Sequence, residues 1–88
     1  MTDVKLKKKV MPAIRCKCDN IISYSEIPNP NELLMISDVK YDDYSGVIDS
    51  EDLYKEMTHI LKCDGCGRLW IYWDGFKNNP LSYLPEND

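Results

Sequence analysis

The feature that most constrains this chain is the spacing of its cysteines. Four cysteines fall into two close pairs that are far apart in the sequence, Cys16 with Cys18 and Cys63 with Cys66. No cysteine is left over, and each pair can supply two sulfur ligands to one ion. The spacing therefore predicts that folding joins the pairs into one tetrahedral site with four sulfur ligands.

Both cysteine pairs lie among residues that suit tight turns. Gly65 and Gly67 accompany the second pair, and glycine adopts at low cost the backbone conformations that a turn around a metal requires. The first pair has one intervening residue and is followed by Asp19 and Asn20, which tolerate left-handed backbone. We therefore expect two knuckles, each wrapping half of the ion.

Other uses of the cysteines stay open from the residues alone. Zinc is the usual ion of a closed sulfur site, with iron as the second choice. Disulfides would require an oxidising compartment, and the thiols can also be free. A redox Cys-x-x-Cys motif opens a helix, whereas the residues after Cys66 have the composition of a strand. The single histidine, His59, is either a further ligand beside Cys63 or a residue near a helix end, where imidazolium is favoured.

Length and composition indicate one small domain. The chain has 88 residues, with 43% hydrophobic and 30% charged residues, which is the balance of an ordinary globule. We expect residues 1–9 to form a basic arm and residues 10–88 to form a single domain stabilised by zinc, since so small a core is marginal. No apolar run approaches the roughly 18 residues that span a bilayer, and the N-terminus lacks the apolar core of a signal peptide. These features predict a cytoplasmic protein without membrane contact.

Apolar periodicity and turn residues predict an α+β fold. The predicted strands are Val10–Cys16, Ile21–Tyr24, Leu33–Ile36, Leu69–Trp73 and Leu81–Leu84. Asp49 or Ser50 is expected to cap a helix, and an apolar stripe of Leu53, Met57, Ile60 and Leu61 predicts that it continues almost to Cys63. Asp74-Gly75 is typical of a two-residue hairpin turn, after which Phe76 and Lys77 are expected to start the return strand. The expected architecture is a small antiparallel β domain with one helix inserted between the two knuckles.

The two knuckles and the strand that follows the second one resemble the zinc ribbons. The resemblance is carried by Cys16, Cys18, Cys63 and Cys66, with Gly67 after the second knuckle. It implies a structural zinc and two hairpins that hold it. The chain departs from the ribbon pattern in its Cys-x-Cys first knuckle and in the long insert between residues 18 and 63. The whole chain also looks like short bacterial proteins and like the small acidic immunity proteins that neutralise toxins.

Charge is distributed unevenly and indicates the kind of partner. Residues 1–18 carry six basic groups against one acidic group, whereas residues 19–88 carry five basic and fourteen acidic groups. An acidic surface repels nucleic acid and speeds the capture of a basic protein. A segment rich in acidic residues and tyrosine is therefore the expected interface. Its candidate partner-binding residues are Asp38, Tyr41, Asp42, Asp43, Tyr44, Asp49, Glu51 and Asp52.

The sequence thus favours a non-enzymatic, zinc-stabilised interaction protein, with an immunity or inhibitor role against a basic toxin as its specific form. Four cysteines would close the coordination sphere, whereas a catalytic zinc keeps a position open. The alternative is a zinc ribbon that works with nucleic acid in transcription or translation. In that case the lysine arm would contact phosphates, and the aromatic residues Trp70, Tyr72 and Trp73 would stack on bases.

Overall fold

The computed structural model describes residues 13–86. The predicted basic arm of residues 1–9 and the first part of the predicted strand from Val10 lie outside the described residues. Within the described range, the chain forms two antiparallel sheets and two short helices, so it is a mixed α+β protein. In this part of the chain, no helix has the length and apolar character that crossing a bilayer requires.

The smaller sheet is a hairpin of β1 (Ala13–Arg15) and β2 (Ile21–Ser23). The larger sheet has four strands in the order β3 (Glu32–Met35), β4 (Thr58–Lys62), β5 (Leu69–Tyr72) and β6 (Leu81–Tyr83). All neighbouring strands are antiparallel. The predicted strands at Ile21–Tyr24, Leu33–Ile36, Leu69–Trp73 and Leu81–Leu84 are confirmed to within one or two residues, whereas the predicted return strand at Phe76 and Lys77 is not formed.

The connection between β3 and β4 holds both helices, α1 (Asp38–Tyr41) and α2 (Ser50–Lys55). Asp49 caps α2 as predicted, because its side chain accepts a hydrogen bond from the backbone N–H of Glu51. The predicted single long helix is wrong, however, since α2 ends at Lys55 and the chain then enters β4. β4 pairs with β3 on one side and with β5 on the other, so these long-range strand contacts override the local helical pattern of its residues.

The core lies between the hairpin and one face of the larger sheet. Ile22 of the hairpin packs against Leu61 and Tyr72, which share a face of β4 and β5. Two cysteines, Cys16 and Cys63, complete this buried cluster. The two turns that carry these cysteines are therefore part of the main core and hold the two sheets together.

The segment between β5 and β6 is a loop, not the tight hairpin that Asp74-Gly75 predicts. The last paired positions are Ile71 and Leu81, and Tyr72 is the last residue of β5. Eight residues, 73–80, therefore lie between the two strands, and Phe76 is one of them. Phe76 instead stacks on the ring of Tyr24, with ring centroids 4.8 Å apart. This contact draws the loop back over the hairpin, which a two-residue turn could not do.

Candidate metal centre

The four cysteines predicted as metal ligands lie together. Their Sγ atoms all fall within 4.8 Å of one another, with 3.6 Å between Cys16 and Cys66 and 3.5 Å between Cys18 and Cys63. Sulfurs placed about 2.3 Å from a tetrahedral ion would be about 3.8 Å apart. A disulfide requires about 2.05 Å, and all four cysteines are free thiols. The cluster therefore fits a metal ion and not a pair of disulfides.

The first knuckle is the turn that joins β1 to β2. The backbone N–H of Cys16 donates to the carbonyl of Asn20, and the N–H of Asp19 donates back to the carbonyl of Cys16, both at 2.8 Å. Asp19 has a φ of 74°, which is left-handed backbone. The tolerance of aspartate for this conformation, expected from the sequence, is what allows the turn to close without glycine.

The second knuckle joins β4 to β5, and its two glycines serve different purposes. Gly67 has a φ of 80° and donates its N–H to the carbonyl of Cys63, which closes the turn. Gly65 is required by space instead. A Cβ at Gly65 would lie 3.3 Å from the Sγ of Cys18 and 3.6 Å from the Sγ of Cys63. A side chain at Gly65 would therefore require the Sγ of Cys18 to shift by a few tenths of an ångström, which would disturb the spacing of the sulfurs.

Three N–H groups donate hydrogen bonds to the sulfurs of the buried cysteines. The Sγ of Cys63 accepts from Nδ2 of Asn20 at 3.4 Å and from the backbone N–H of Gly65 at 3.3 Å. The Sγ of Cys16 accepts from Nε1 of Trp70 at 3.4 Å. Such donors orient metal ligands and stabilise the thiolate form. Neither side-chain donor was predicted from the sequence. The available signal was that a buried indole N–H needs an acceptor, and here the acceptor is the distant Cys16.

These contacts change the pKa values of the thiols. Burial opposes ionisation of Cys16, but hydrogen bonds from the Cys18 backbone and from Trp70 outweigh it and lower the pKa to about 6. Burial also opposes ionisation of Cys63, and hydrogen bonds from backbone N–H groups and Asn20 lower its pKa. For Cys18, a backbone hydrogen bond favours the thiolate, but the contact with Cys63 and burial raise the pKa. A bound cation would remove this asymmetry, because every coordinating thiol is deprotonated.

The histidine is separate from the sulfur cluster. His59 lies in β4, so the expectation that it stands near a helix end is wrong. Its Nδ1 hydrogen-bonds the carboxylate of Glu32, and its ring contacts Tyr54 and Phe76. Among the described residues, the group that can hold a metal consists of the four cysteines, without His59.

The candidate partner-binding residues lie on α1, on α2 and on the loop between them. Most of these side chains are exposed; Tyr44 is half-buried and donates its hydroxyl to the carbonyl of Asp52. Partial burial, followed by the charges of Glu56 and Asp52, raises the pKa of Tyr44. The carboxylate of Asp49 is used in part for helix capping. The exposed members are Asp38, Tyr41, Asp42, Asp43, Asp49, Glu51 and Asp52.

Two of the three aromatic residues considered for base stacking are not available on the surface. Tyr72 is 4% exposed and belongs to the core cluster, and Trp70 is half-buried against the same cluster. Trp73 is exposed and donates its indole N–H to the hydroxyl of Tyr83. The structure therefore leaves one of these rings open to a ligand.

Residues 12–87 match a protein family described as Domain of unknown function (DUF8617). The match covers most of the chain, so the protein belongs to this family. No curated protein and no solved structure matches the chain significantly.

Proposed function

We propose that this protein is a non-enzymatic, zinc-stabilised interaction module that binds a basic protein through the acidic segment of residues 38–52. An immunity or inhibitor role against a basic toxin is the specific form of this proposal. The two knuckles would then form a zinc-ribbon-like core with the interaction segment inserted between them. Reduced thiols suit a cytoplasmic location.

The spacing of the four sulfurs supports zinc as the structural ion. Cys16, Cys18, Cys63 and Cys66 give a set made only of sulfur, which suits zinc or iron among the common metals. Zinc prefers the tetrahedral arrangement in structural sites. Zinc bound here would neutralise part of the thiolate charge and tie the two sheets together. Four protein ligands complete such a coordination sphere, so the role of the metal is structural.

The single observation that carries the partner proposal is the lack of ion pairing in the acidic segment. Within residues 13–86, the ion pairs are Arg15 with Asp19, Lys40 with Glu56, and His59 with Glu32. None of them includes an acidic residue of the proposed interface. The only basic residue between positions 38 and 52 is Lys40, and it is directed to Glu56. These carboxylates can therefore attract a basic partner without first breaking an ion pair to another residue of the range 13–86.

Association kinetics test this proposal. The parent protein captures its partner from the source cell, once without nuclease to detect bound RNA or DNA and once with nuclease to isolate protein partners. Association with the purified partner is then compared with that of an Asp42→Lys, Asp43→Lys variant. Slower association of the variant supports the acidic interface. Retention of RNA or DNA by the parent, with equal partner binding by the variant, would contradict it and favour the nucleic-acid alternative.

A further inference from the structure

A groove lies between the loop of residues 26–29 and helix α2, with the edge strand β3 contributing to its lining. Its volume is about 470 Å³, within the range of sites that hold small ligands or side chains. The lining combines acidic and apolar side chains and includes no basic residue. Its main members are Glu26, Ile27, Glu32, Leu34, Glu51 and Tyr54.

The apolar part of the lining is open to solvent. Ile27 is 96% exposed, Leu34 is 43% exposed and Tyr54 is 46% exposed. The Tyr54 ring is held edge-on against the ring of His59, with centroids 5.4 Å apart. An apolar wall of this kind can cover the aliphatic part of a long side chain, and a tyrosine ring can contact a cation through its face.

The acidic part of the lining supplies negative charge at the same place. His59 binds the carboxylate of Glu32 and holds it in position. Glu26 and Glu51 are exposed and take part in no ion pair within residues 13–86. The groove therefore offers, beside apolar surface, two carboxylates that no cation of the described chain pairs with. This is the complement of a side chain with an apolar stem and a cationic tip.

We propose that this groove binds a lysine or arginine side chain in an extended segment of the basic partner. The inference rests on the proposed function and adds a defined site to it. The stem of the bound side chain lies along Leu34 and Tyr54, and its cation lies between Glu26 and Glu51. The groove, including Glu51, thus supplies short-range contacts, whereas the other exposed carboxylates of residues 38–52 act at longer range.

A labelled peptide with alternating lysine and leucine, Gly-Lys-Leu-Lys-Leu-Lys-Gly, tests the groove on the full-length, metal-loaded protein. Its affinity is measured by fluorescence anisotropy, and binding is mapped by amide chemical shifts. We expect shifts at Ile27, Leu34 and Tyr54. A Glu26→Gln, Glu51→Gln variant should weaken binding about fivefold or more, since each exposed ion pair contributes modestly. A peptide with glutamine in place of lysine should not bind.

An Asp42→Asn, Asp43→Asn variant is the matched control, because it removes the same charge from residues that do not line the groove. We expect its peptide affinity to change less than twofold. Equal losses in both variants would indicate general attraction and overturn the groove assignment. Failure of the parent to bind the lysine peptide would also overturn it. The proposed function would survive either result if the purified protein partner still associates more slowly with the Asp42→Lys, Asp43→Lys variant than with the parent.

The four lysines near the N-terminus of this chain are an alternative source of a cationic side chain for the groove. A variant with Lys5, Lys7, Lys8 and Lys9 changed to glutamine tests them. Peptide affinity equal to that of the parent supports a groove that is free for a partner. A severalfold increase in peptide affinity would show that the chain itself occupies the groove and would overturn the assignment to a partner.

Discussion

The indole N–H of Trp70 donates a hydrogen bond to the sulfur of Cys16 across 54 residues of sequence. One residue lies in the strand after the second knuckle and the other begins the first knuckle. This bond therefore links the two halves of the metal centre independently of the ion. For an ion bound at this cluster, the same bond would position the Cys16 ligand, in addition to the packing of Trp70.

Replacing Trp70 by phenylalanine should weaken metal binding. The change removes the N–H that the sulfur of Cys16 accepts but keeps an aromatic ring in the core, and loss of such a donor typically costs 10- to 100-fold in metal affinity. Competition with a chromogenic zinc chelator measures the effect. Trp73→Phe is the matched control, because the Trp73 indole donates to Tyr83 and not to a sulfur. Equal affinities for the two variants would contradict the positioning role.

The purified protein should contain about one zinc ion per chain, because its four cysteines form one cluster. Elemental analysis of protein purified under reducing conditions measures the content. Cobalt substitution provides a second readout, since tetrahedral cobalt with sulfur ligands gives strong absorption. Metal-free protein with two disulfides from the same preparation would refute the zinc assignment, and bound iron would revise the identity of the ion.

Replacing Cys63 by serine should unfold or severely destabilise the protein. Cys63 is both a candidate ligand and a fully buried member of the core, and structural zinc contributes on the order of 10 kcal/mol, comparable to the stability of a small domain. Circular dichroism and thermal melting measure the change. Addition of a chelator should lower the melting temperature of the parent in the same way. A variant that melts within a few degrees of the parent would show that the core folds without metal.

Reversing the charge of Asp42 and Asp43 to lysine should slow association with the basic partner more than it changes dissociation. Both residues are exposed and lie outside helix α1, so the fold should be preserved. Exposed charges act mainly by steering the encounter of the two proteins, which changes the association rate. Stopped-flow or surface-binding kinetics separate the two rates. The association rate of the parent should also fall steeply with salt, because exposed charges are screened beyond about 8 Å at physiological ionic strength. A salt-independent rate would argue against an acidic interface.

Replacing Tyr72 by phenylalanine should raise the free energy of unfolding by about 1 kcal/mol, because the buried hydroxyl of Tyr72 has no hydrogen-bond partner within residues 13–86. Burial, followed by the neighbouring Tyr24, raises the pKa of Tyr72 from 10.0 to about 12. As pH rises above 10, the unfolded state loses this proton before the folded state does, so the parent should lose stability that the variant keeps. Chemical denaturation at pH 7 and pH 11 measures both effects. A less stable variant at both pH values would show that the hydroxyl has a partner.

The sequence predicted the sulfur cluster well because its signal is local and chemical. Two close cysteine pairs restrict the fold whatever surrounds them, and the cap at Asp49 is likewise a local signal. The helix prediction failed beyond Lys55 because Ile60 and Leu61 fit the spacing of a helical stripe by coincidence. Their burial in fact arises from opposite faces of β4, where Ile60 pairs with Ile71 and Leu61 pairs with Trp70. Such pairing depends on residues that are distant in sequence, which a local pattern does not contain.

The groove and the hydrogen bonds to sulfur could not be predicted from the sequence for the same reason. Strand β3 and helix α1 lie between Glu26 and Glu51 in the chain, and nothing in their local sequence relates them. Asn20 was considered only for its backbone, although its side chain donates to Cys63. In each case the chemistry depends on which turns and strands are brought together, and that is decided by the tertiary fold.

The separation of the two knuckles along the chain has a consequence for synthesis of the protein. Cys16 and Cys18 leave the ribosome well before Cys63 and Cys66, with an interval of a few seconds at about 5–20 residues per second. During that interval the first knuckle has only two of its four sulfur ligands, and Ile22 lacks the strands β4 and β5 on which it packs. The nascent chain therefore exposes two reactive thiols until the second knuckle emerges. The yield of correctly assembled protein should therefore depend on reducing conditions and available metal at that moment, as well as on the stability of the finished fold.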